Sequence, residues 1–265
     1  MSARESEVIR SAQNPLVQRA RAALAGREPG VIVLQGDRLV DDARTAGARF
    51  EAVLIAHDRA ERAHELRATG LDVRLVDAGL LARASALATS PGIVALAAAP
   101  PTRDLATIDL GLDALVLVVA GIADPGNLGA LARAAEAFGV AAFVVVAGGA
   151  SPWNEKALRG SMGSLLRIPV VLVPDARTAA AVLARRSVRC ARAVTRGGSD
   201  PRAFRAAGSL ALWIGAETGD APEETATFEA LSIPMRAGPE SLNVTVAASI
   251  LLYELRRSRG QASGS

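Results

Sequence analysis

Three short segments carry the side chains best suited to chemistry. The first is Asp124-Pro125-Gly126-Asn127, with Arg133 six residues beyond Asn127. In the second, the apolar run Leu210 to Ile214 leads into Gly215-Ala216-Glu217. In the third, Ile233-Pro234-Met235 and a Gly/Pro turn deliver Ser241-Leu242-Asn243 to an Ala-rich helical stretch. Two amides, a hydroxyl, a guanidinium and a carboxylate form a set that orients a substrate and stabilises developing negative charge. Each segment also has a purely structural reading. Asn127 is a favoured helix cap with Arg133 as a solvated charge, Gly215-x-Glu217 is an acidic turn, and Ser241 is a cap for the last helix.

Other chemistries are poorly supported. The two histidines, His57 and His64, lie far upstream of all three segments, so no Ser-His-Asp or Cys-His arrangement is expected. One cysteine, Cys190, allows no internal disulfide, suits a reducing cytoplasm and leaves too few ligands for a zinc site, so no metal is expected. The glycine spacing around Gly126 and Gly129 does not fit the dinucleotide fingerprint.

The elements that must position these residues follow from hydrophobic periodicity. From residue 114 onward, apolar strands (114–119, 142–146, 169–173, 191–194, 210–214, 231–233) alternate with helical patterns (128–138, 156–164, 178–185, 242–257). Continuous apolar strands separated by helices predict an α/β fold with a mainly parallel sheet covered on both faces. Upstream, a basic helix at 14–28 precedes strands at 31–34, 52–56, 73–76 and 93–97 with helices at 37–46 and 59–68, a smaller α/β unit. Ala99-Pro100-Pro101-Thr102 breaks the pattern. The expected organisation is an N-terminal domain at 1–98, a linker at 99–110 and a C-terminal domain at 111–260.

Half of the chain is hydrophobic but only 3% aromatic, so its cores must be built from Val, Leu, Ile and Ala. No apolar run reaches the ~18 residues that a membrane span needs. The charged N-terminus does not read as a signal peptide, and the chain is expected in the cytoplasm. Net charge is only +3, yet eleven basic residues lie between Glu155 and Arg205 against Glu155, Asp175 and Asp200. Such an island suits a polyanion, with a solvated Arg-rich face as the plain alternative. Lys156 and Arg159 in the island, and Arg19, Arg21 and Arg27 near the N-terminal helix, are the candidate nucleic-acid contacts.

Taken together and in this order, the three segments resemble the motifs of the SpoU (TrmH-like) RNA 2′-O-ribose methyltransferases of the SPOUT superfamily. Lys156-x-x-Arg159-Gly-Ser-Met-Gly is also similar, and residues 11–38 resemble more loosely the small RNA-binding α/β domain that precedes many such catalytic domains. Two departures stand out: Gln35 replaces the usual acidic residue, and Gly219 comes two positions after Glu217 where three are usual.

The resemblance implies an S-adenosylmethionine-dependent enzyme that methylates a ribose 2′-hydroxyl, most simply in 23S ribosomal RNA. It also implies a homodimer and a deep trefoil knot in the C-terminal domain. It assigns catalysis to Asn127, Arg133, Glu217, Ser241 and Asn243. Thr195, Gly197, Ile214, Gly215, Ile233, Met235 and Leu242 are assigned to cofactor binding. Family members are usually described with the first-motif Arg as base. Arginine holds its proton too tightly for that, so Arg133 is better read as a phosphate anchor and charge stabiliser, with Ser241 or water passing the proton. Rival readings are a non-catalytic RNA-binding protein retaining the fold, a tRNA 2′-O-methyltransferase, and a small-molecule α/β enzyme.

Overall fold

The computed structural model describes residues 7–85, 91–205, 208–215, 223–236 and 240–262, with side chains to Ser258 in the last helix. Two compact units emerge. One comprises residues 1–100 and 153–166, the other 101–152 and 167–265.

In the first unit a five-stranded sheet has the order β1-β4-β3-β5-β2, built from β1 (Val8–Ile9), β2 (Val31–Gln35), β3 (Phe50–Ala56), β4 (Val73–Val76) and β5 (Ile93–Ala98). Pairings β1–β4 and β3–β4 are parallel, whereas β5 runs antiparallel to both β2 and β3. Helices α1 (Pro15–Leu24), α2 (Asp37–Thr45), α3 (Ala60–Ala68) and α4 (Ala78–Arg83) complete it. The N-terminal helix is shorter than its basic pattern suggests. Asn14 caps it by accepting from the Leu16 N–H at 3.0 Å, Pro15 opens it, and it ends at Leu24 before the left-handed Gly26.

The second unit carries a six-stranded sheet of order β11-β9-β10-β6-β7-β8. Its strands are β6 (Leu115–Val119), β7 (Ala142–Val146), β8 (Val170–Val173), β9 (Arg189–Ala193), β10 (Leu210–Ile214) and β11 (Glu229–Leu231). Every pairing is parallel. β6, β7 and β10 are buried along their whole length, as strands covered on both faces must be. One face packs Val116, Val118, Ala211 and Trp213 against Ala179, Val182 and Leu183 of α8 (Ala176–Arg185). Helices α5 (Pro125–Ala137) and α9 (Val244–Ala262) pack on one another, and α9 also touches β9 and β10. Each buried Val or Leu contributes about 1.5–3 kcal/mol, so small aliphatic side chains supply most of this core, with Phe143 and Trp213 added to them.

Several element boundaries differ from the periodicity, and Val8–Ile9 and Ala78–Arg83 are elements it did not predict; three differences bear on the second half of the chain. The helix expected at 156–164 is two pieces, α6 (Glu155–Ser161) and α7 (Ser164–Arg167). Met162 (φ 50°) and Gly163 (φ 86°) are both left-handed and end the first. The strand expected at 231–233 lies at Glu229–Leu231, because Ser232 is drawn out of line to Gly198. The last helix begins at Val244 rather than Leu242.

Candidate active site

The site begins at the turn between β6 and α5. Asp124, not Asn127, is the helix cap. Its carboxylate accepts from the Asn127 N–H at 2.9 Å, and Pro125 holds the first helical position. The cap reading of Asn127 is therefore corrected, since a proline after Asp124 sets the helix start three residues earlier. With its backbone N–H satisfied, the Asn127 side chain is released for another role. Its Oδ1 accepts from Asn243 Nδ2 at 3.4 Å, and its carbonyl accepts from Thr245 Oγ1 at 3.5 Å.

Asn243 in turn caps α9. Its Oδ1 accepts from the Thr245 N–H at 2.9 Å and more loosely from the Val246 N–H at 3.4 Å. The cap expected at Ser241 thus falls on Asn243, which leaves the Ser241 hydroxyl outside the helix and exposed. One amide oxygen serves the helix and the amide nitrogen serves Asn127. Two helix N-termini are held side by side in this way, and their free N–H groups and dipoles favour a negative group.

A cavity of about 450 Å³ opens beside α9's N-terminus. Ala120, Thr195 and Gly215, just past the C-terminal ends of β6, β9 and β10, line it. That is where ligands bind in open parallel sheets, and the volume lies in the small-ligand range. Of the expected cofactor residues, Thr195, Ile214, Gly215, Ile233, Met235 and Leu242 all line the cavity, together with Ser241 and Asn243. A Cβ on Gly215 would meet nothing within 4 Å, so its missing side chain leaves room at the wall. Gly197 is not a lining residue. It is left-handed (φ 77°) and turns the chain so that Gly198 can approach the strand end. A Cβ on Gly198 would come within 2.7 Å of Leu231 C and Ser232 N. Ser232 Oγ donates to the Gly198 carbonyl at 2.9 Å and accepts from its N–H at 3.1 Å.

Arg133 is placed differently. Six residues along a helix correspond to about 9 Å and about 240° of rotation, so it projects from another side of α5 than Asn127. It is exposed, does not line the cavity and has no ion pair among the described residues. Glu217 and the irregular stretch after it lie outside the described residues.

Sequence reasoning missed several wall residues: Ala120, Arg192, Trp213 and Thr225. Arg192 did leave a signal, a charge inside an otherwise small and apolar strand. Cys190, on the same strand, is half-buried, and burial pushes its thiol above the ordinary value. It is thus a protonated packing residue at neutral pH.

The expected RNA contacts fall in the first unit. Arg19 is tied to Glu28 at 3.2 Å and to Glu51 at 2.5 Å, which raises its pKa through those two hydrogen bonds. Arg21, Arg27 and Lys156 are exposed, while Arg159, also exposed, pairs with Glu155 one helical turn away. Elsewhere the basic island is partly self-neutralised. Arg167 grips Glu136 bidentately at 2.6 and 2.8 Å, and Arg202 pairs with Asp200 at 2.6 Å.

A parallel sheet with a ligand-sized cavity at its strand ends, flanked by two cross-bonded helix N-termini, defines an α/β protein that handles a small molecule at that edge. Comparison with known proteins narrows the class. Residues 114–253 match the SpoU rRNA Methylase family. The 23S rRNA (guanosine-2′-O-)-methyltransferase RlmB of Escherichia coli (strain K12) is 31% identical over 229 residues, covering 81% of this chain and 93% of RlmB. The 23S rRNA (guanosine(2553)-2′-O)-methyltransferase RlmP of Bacillus subtilis (strain 168) is 29% identical over 253 residues, covering 94% and 98%. Among solved structures, the SpoU methyltransferase AviRb from Streptomyces viridochromogenes, in complex with the cofactor AdoMet, superposes with a TM-score of 0.83 at 27% identity, covering 93% of this chain and 98% of that one. The chain belongs to the SpoU rRNA methylase family.

Proposed function

We propose that the protein transfers a methyl group from S-adenosylmethionine to a ribose 2′-hydroxyl of ribosomal RNA, with 23S rRNA as the substrate. The observation that carries this reading is the convergence of six of the expected cofactor residues with Ser241 and Asn243 on one cavity, beside the Asn127–Asn243 bond. The residues fit the cofactor. The wall mixes aliphatic side chains with hydroxyl, amide and backbone groups, the space at Gly215 is open, and a guanidinium stands where an anionic group can be received. A non-catalytic RNA-binding role would leave such a cavity without purpose.

When bound, the cofactor supplies a methyl already made electrophilic by its sulfonium, so the chain's own task is alignment and proton handling. Asn127 and Asn243 hold each other and present amide groups at the helix ends. Ser241, outside α9, would relay the 2′-hydroxyl proton, releasing its own hydroxyl proton to water as it takes the substrate's. Arg133, exposed on α5, would hold an RNA phosphate and stabilise the developing alkoxide. Glu217 would order the loop after β10.

The further organisation is part of the same proposal. A homodimer is supported by Val246 and Tyr253 on α9, which are 47% and 52% exposed. In it Arg133 would act either in its own site or across the interface. A trefoil knot is supported by the close approach of Gly198 to Leu231 and Ser232. A first domain at 1–98 that grips RNA, joined through 99–110 to a catalytic domain at 111–260, is supported by the exposed Arg21 and Arg27. Among the described residues no helix is long and apolar enough to cross a membrane, and no His/Cys/Asp/Glu cluster could hold a metal. A cytoplasmic location is proposed with the rRNA substrate. Calorimetry with S-adenosylmethionine, followed by mapping of blocked ribose positions in rRNA from cells with and without the gene, tests the whole reading.

A further inference from the structure

We propose that Arg192 is the carboxylate-recognition residue of this cavity, its guanidinium receiving the α-carboxylate of the cofactor's amino-acid moiety. The proposal rests on the reading of the cavity as the S-adenosylmethionine site.

Arg192 lies within β9, in register with Trp213 on β10 and Ala230 on β11. Alternation along the strand puts it on the same face as Cys190, which packs with Trp213 and Ala211 in the cluster against α8. A charged side chain on such a face needs a partner, because removing an ion from water is costly. Yet the Arg192 Nε is buried with no hydrogen-bond partner, and among the described residues Arg192 forms no salt bridge. Among the described residues, three carboxylates on adjoining elements are already engaged, and Glu223 is exposed to solvent. Glu229 pairs with Arg189 at 2.6 Å, Glu224 with Arg177 at 3.4 Å and Asp200 with Arg202 at 2.6 Å. Among the described residues, the fold thus holds a guanidinium beside the cavity with no carboxylate paired to it.

Arg192 is also the one charged side chain among the described lining residues. The remaining wall consists of aliphatic side chains, glycine, one tryptophan and a few neutral polar groups. A lone cation in a neutral wall selects strongly among the groups of a zwitterionic ligand. S-adenosylmethionine carries a sulfonium, an ammonium and a carboxylate. The first two are repelled by Arg192 and only the third is attracted, with the fork of N–H donors matching two carboxylate oxygens. The charge therefore recognises the amino-acid end and sets the orientation in which the cofactor enters. A phosphate on an RNA strand is a poorer fit, because the Arg192 side chain lies in the cavity wall and not on the open surface.

The unpaired Nε has a consequence for the empty protein. A buried donor without an acceptor costs free energy that an apolar side chain of similar length does not. Arg192 is thus kept at some expense to the apo state, and its replacement by methionine relieves that expense while removing the cofactor contact. A purely structural arginine behaves in the opposite way, since its loss destabilises the apo protein.

The test uses the full chain, isothermal calorimetry and two ligands, S-adenosylmethionine and its decarboxylated analogue, which keeps the sulfonium and the ammonium. The wild-type protein should prefer S-adenosylmethionine by at least ~30-fold, the lower end for truncating one partner of a buried, hydrogen-bonded charge pair. R192M should bind both ligands equally, at the wild-type level for the analogue, and its apo form should melt at or above the wild-type temperature. R192K, which keeps the charge but not the fork, should retain part of the preference. This holds the test open should R192M fold poorly. Equal weakening of both ligands by R192M, or unchanged binding of S-adenosylmethionine by R192M or by a folded R192K, would overturn the assignment to the carboxylate. Absence of binding of either ligand to the wild-type protein would instead remove the cofactor reading beneath it.

Discussion

Asn243 Nδ2 donates to Asn127 Oδ1 at 3.4 Å, joining residues 116 positions apart at the N-termini of two packed helices. Asn243 does this while its Oδ1 caps α9 through the Thr245 N–H. The two functions of one amide are separable. Asn243→Asp keeps the capping oxygen and loses the donor, so melting temperature should stay near wild type while methyl transfer falls by at least about 10-fold, the low end for a preorganised polar contact. Asn243→Ala loses both and should cost about 1 kcal/mol of stability in addition. Near-wild-type activity and stability of Asn243→Asp, with losses confined to Asn243→Ala, would show that the cap alone matters.

Gly215 offers a test of the cavity that does not touch the proposed reacting groups. Because a Cβ there meets nothing within 4 Å, Gly215→Val should fold with little loss of stability and fill space at the cavity wall. Cofactor affinity should fall at least about 10-fold, by steric exclusion from a close-packed site. Calorimetry and a thermal melt on the same sample decide it, and unchanged affinity would move the cofactor elsewhere.

The N-terminal arginines separate into two kinds. Arg19 is held by Glu28 and Glu51, so Arg19→Ala should lower stability by up to about 1 kcal/mol, as for a partly exposed ion pair, with little change in the salt dependence of RNA binding. Arg21 and Arg27 are exposed. Each phosphate contact they make should add about 0.7–0.9 to the slope of log K against log salt. Binding titrations of the double variant Arg21→Ala/Arg27→Ala over a salt series should show a shallower slope at unchanged melting temperature. An unchanged slope would assign RNA binding to another surface.

Arg133 stands outside the cavity yet is expected to act in the reaction. Arg133→Ala should leave the fold and S-adenosylmethionine binding intact, since an exposed helical Arg-to-Ala change costs little. It should lower single-turnover methylation by ~10²-fold or more. Arg133→Lys should remain poor, because an ammonium cannot make the bidentate phosphate contact. If Arg133 serves a neighbouring copy, mixing Arg133→Ala with an Asn127→Ala variant should restore part of the activity. Near-wild-type turnover by Arg133→Ala would reduce it to a solvated charge.

Much of the second unit was legible because its strands are buried on both faces and read as unbroken apolar runs, as at Leu115–Val119 and Leu210–Ile214. Helix starts were less legible because several good caps competed locally. Asp124 took the cap from Asn127 once Pro125 held the first helical position, and Asn243 took it from Ser241. Six of the seven residues expected to hold the cofactor line the cavity and were named from their strand-end motifs, while Arg192 and Thr225 lay on elements with no motif and were joined to the cavity only by register and packing. Periodicity also could not show that Gly198 must yield its side chain to Leu231 and Ser232, a contact between segments more than thirty residues apart.

The central claim, methyl transfer to a ribose 2′-hydroxyl of 23S rRNA, is tested most directly on unmodified rRNA. Ribosomal RNA from cells lacking the gene is incubated with the purified protein and S-adenosylmethionine labelled in its methyl group, then cleaved with alkali, which spares only bonds beside a 2′-O-methylated ribose. The account predicts label in an alkali-resistant dinucleotide from a single position of 23S rRNA, with label reduced when Asn127→Ala replaces the wild-type protein. Label recovered on a base, or none in ribosomal RNA despite measured cofactor binding, would contradict it.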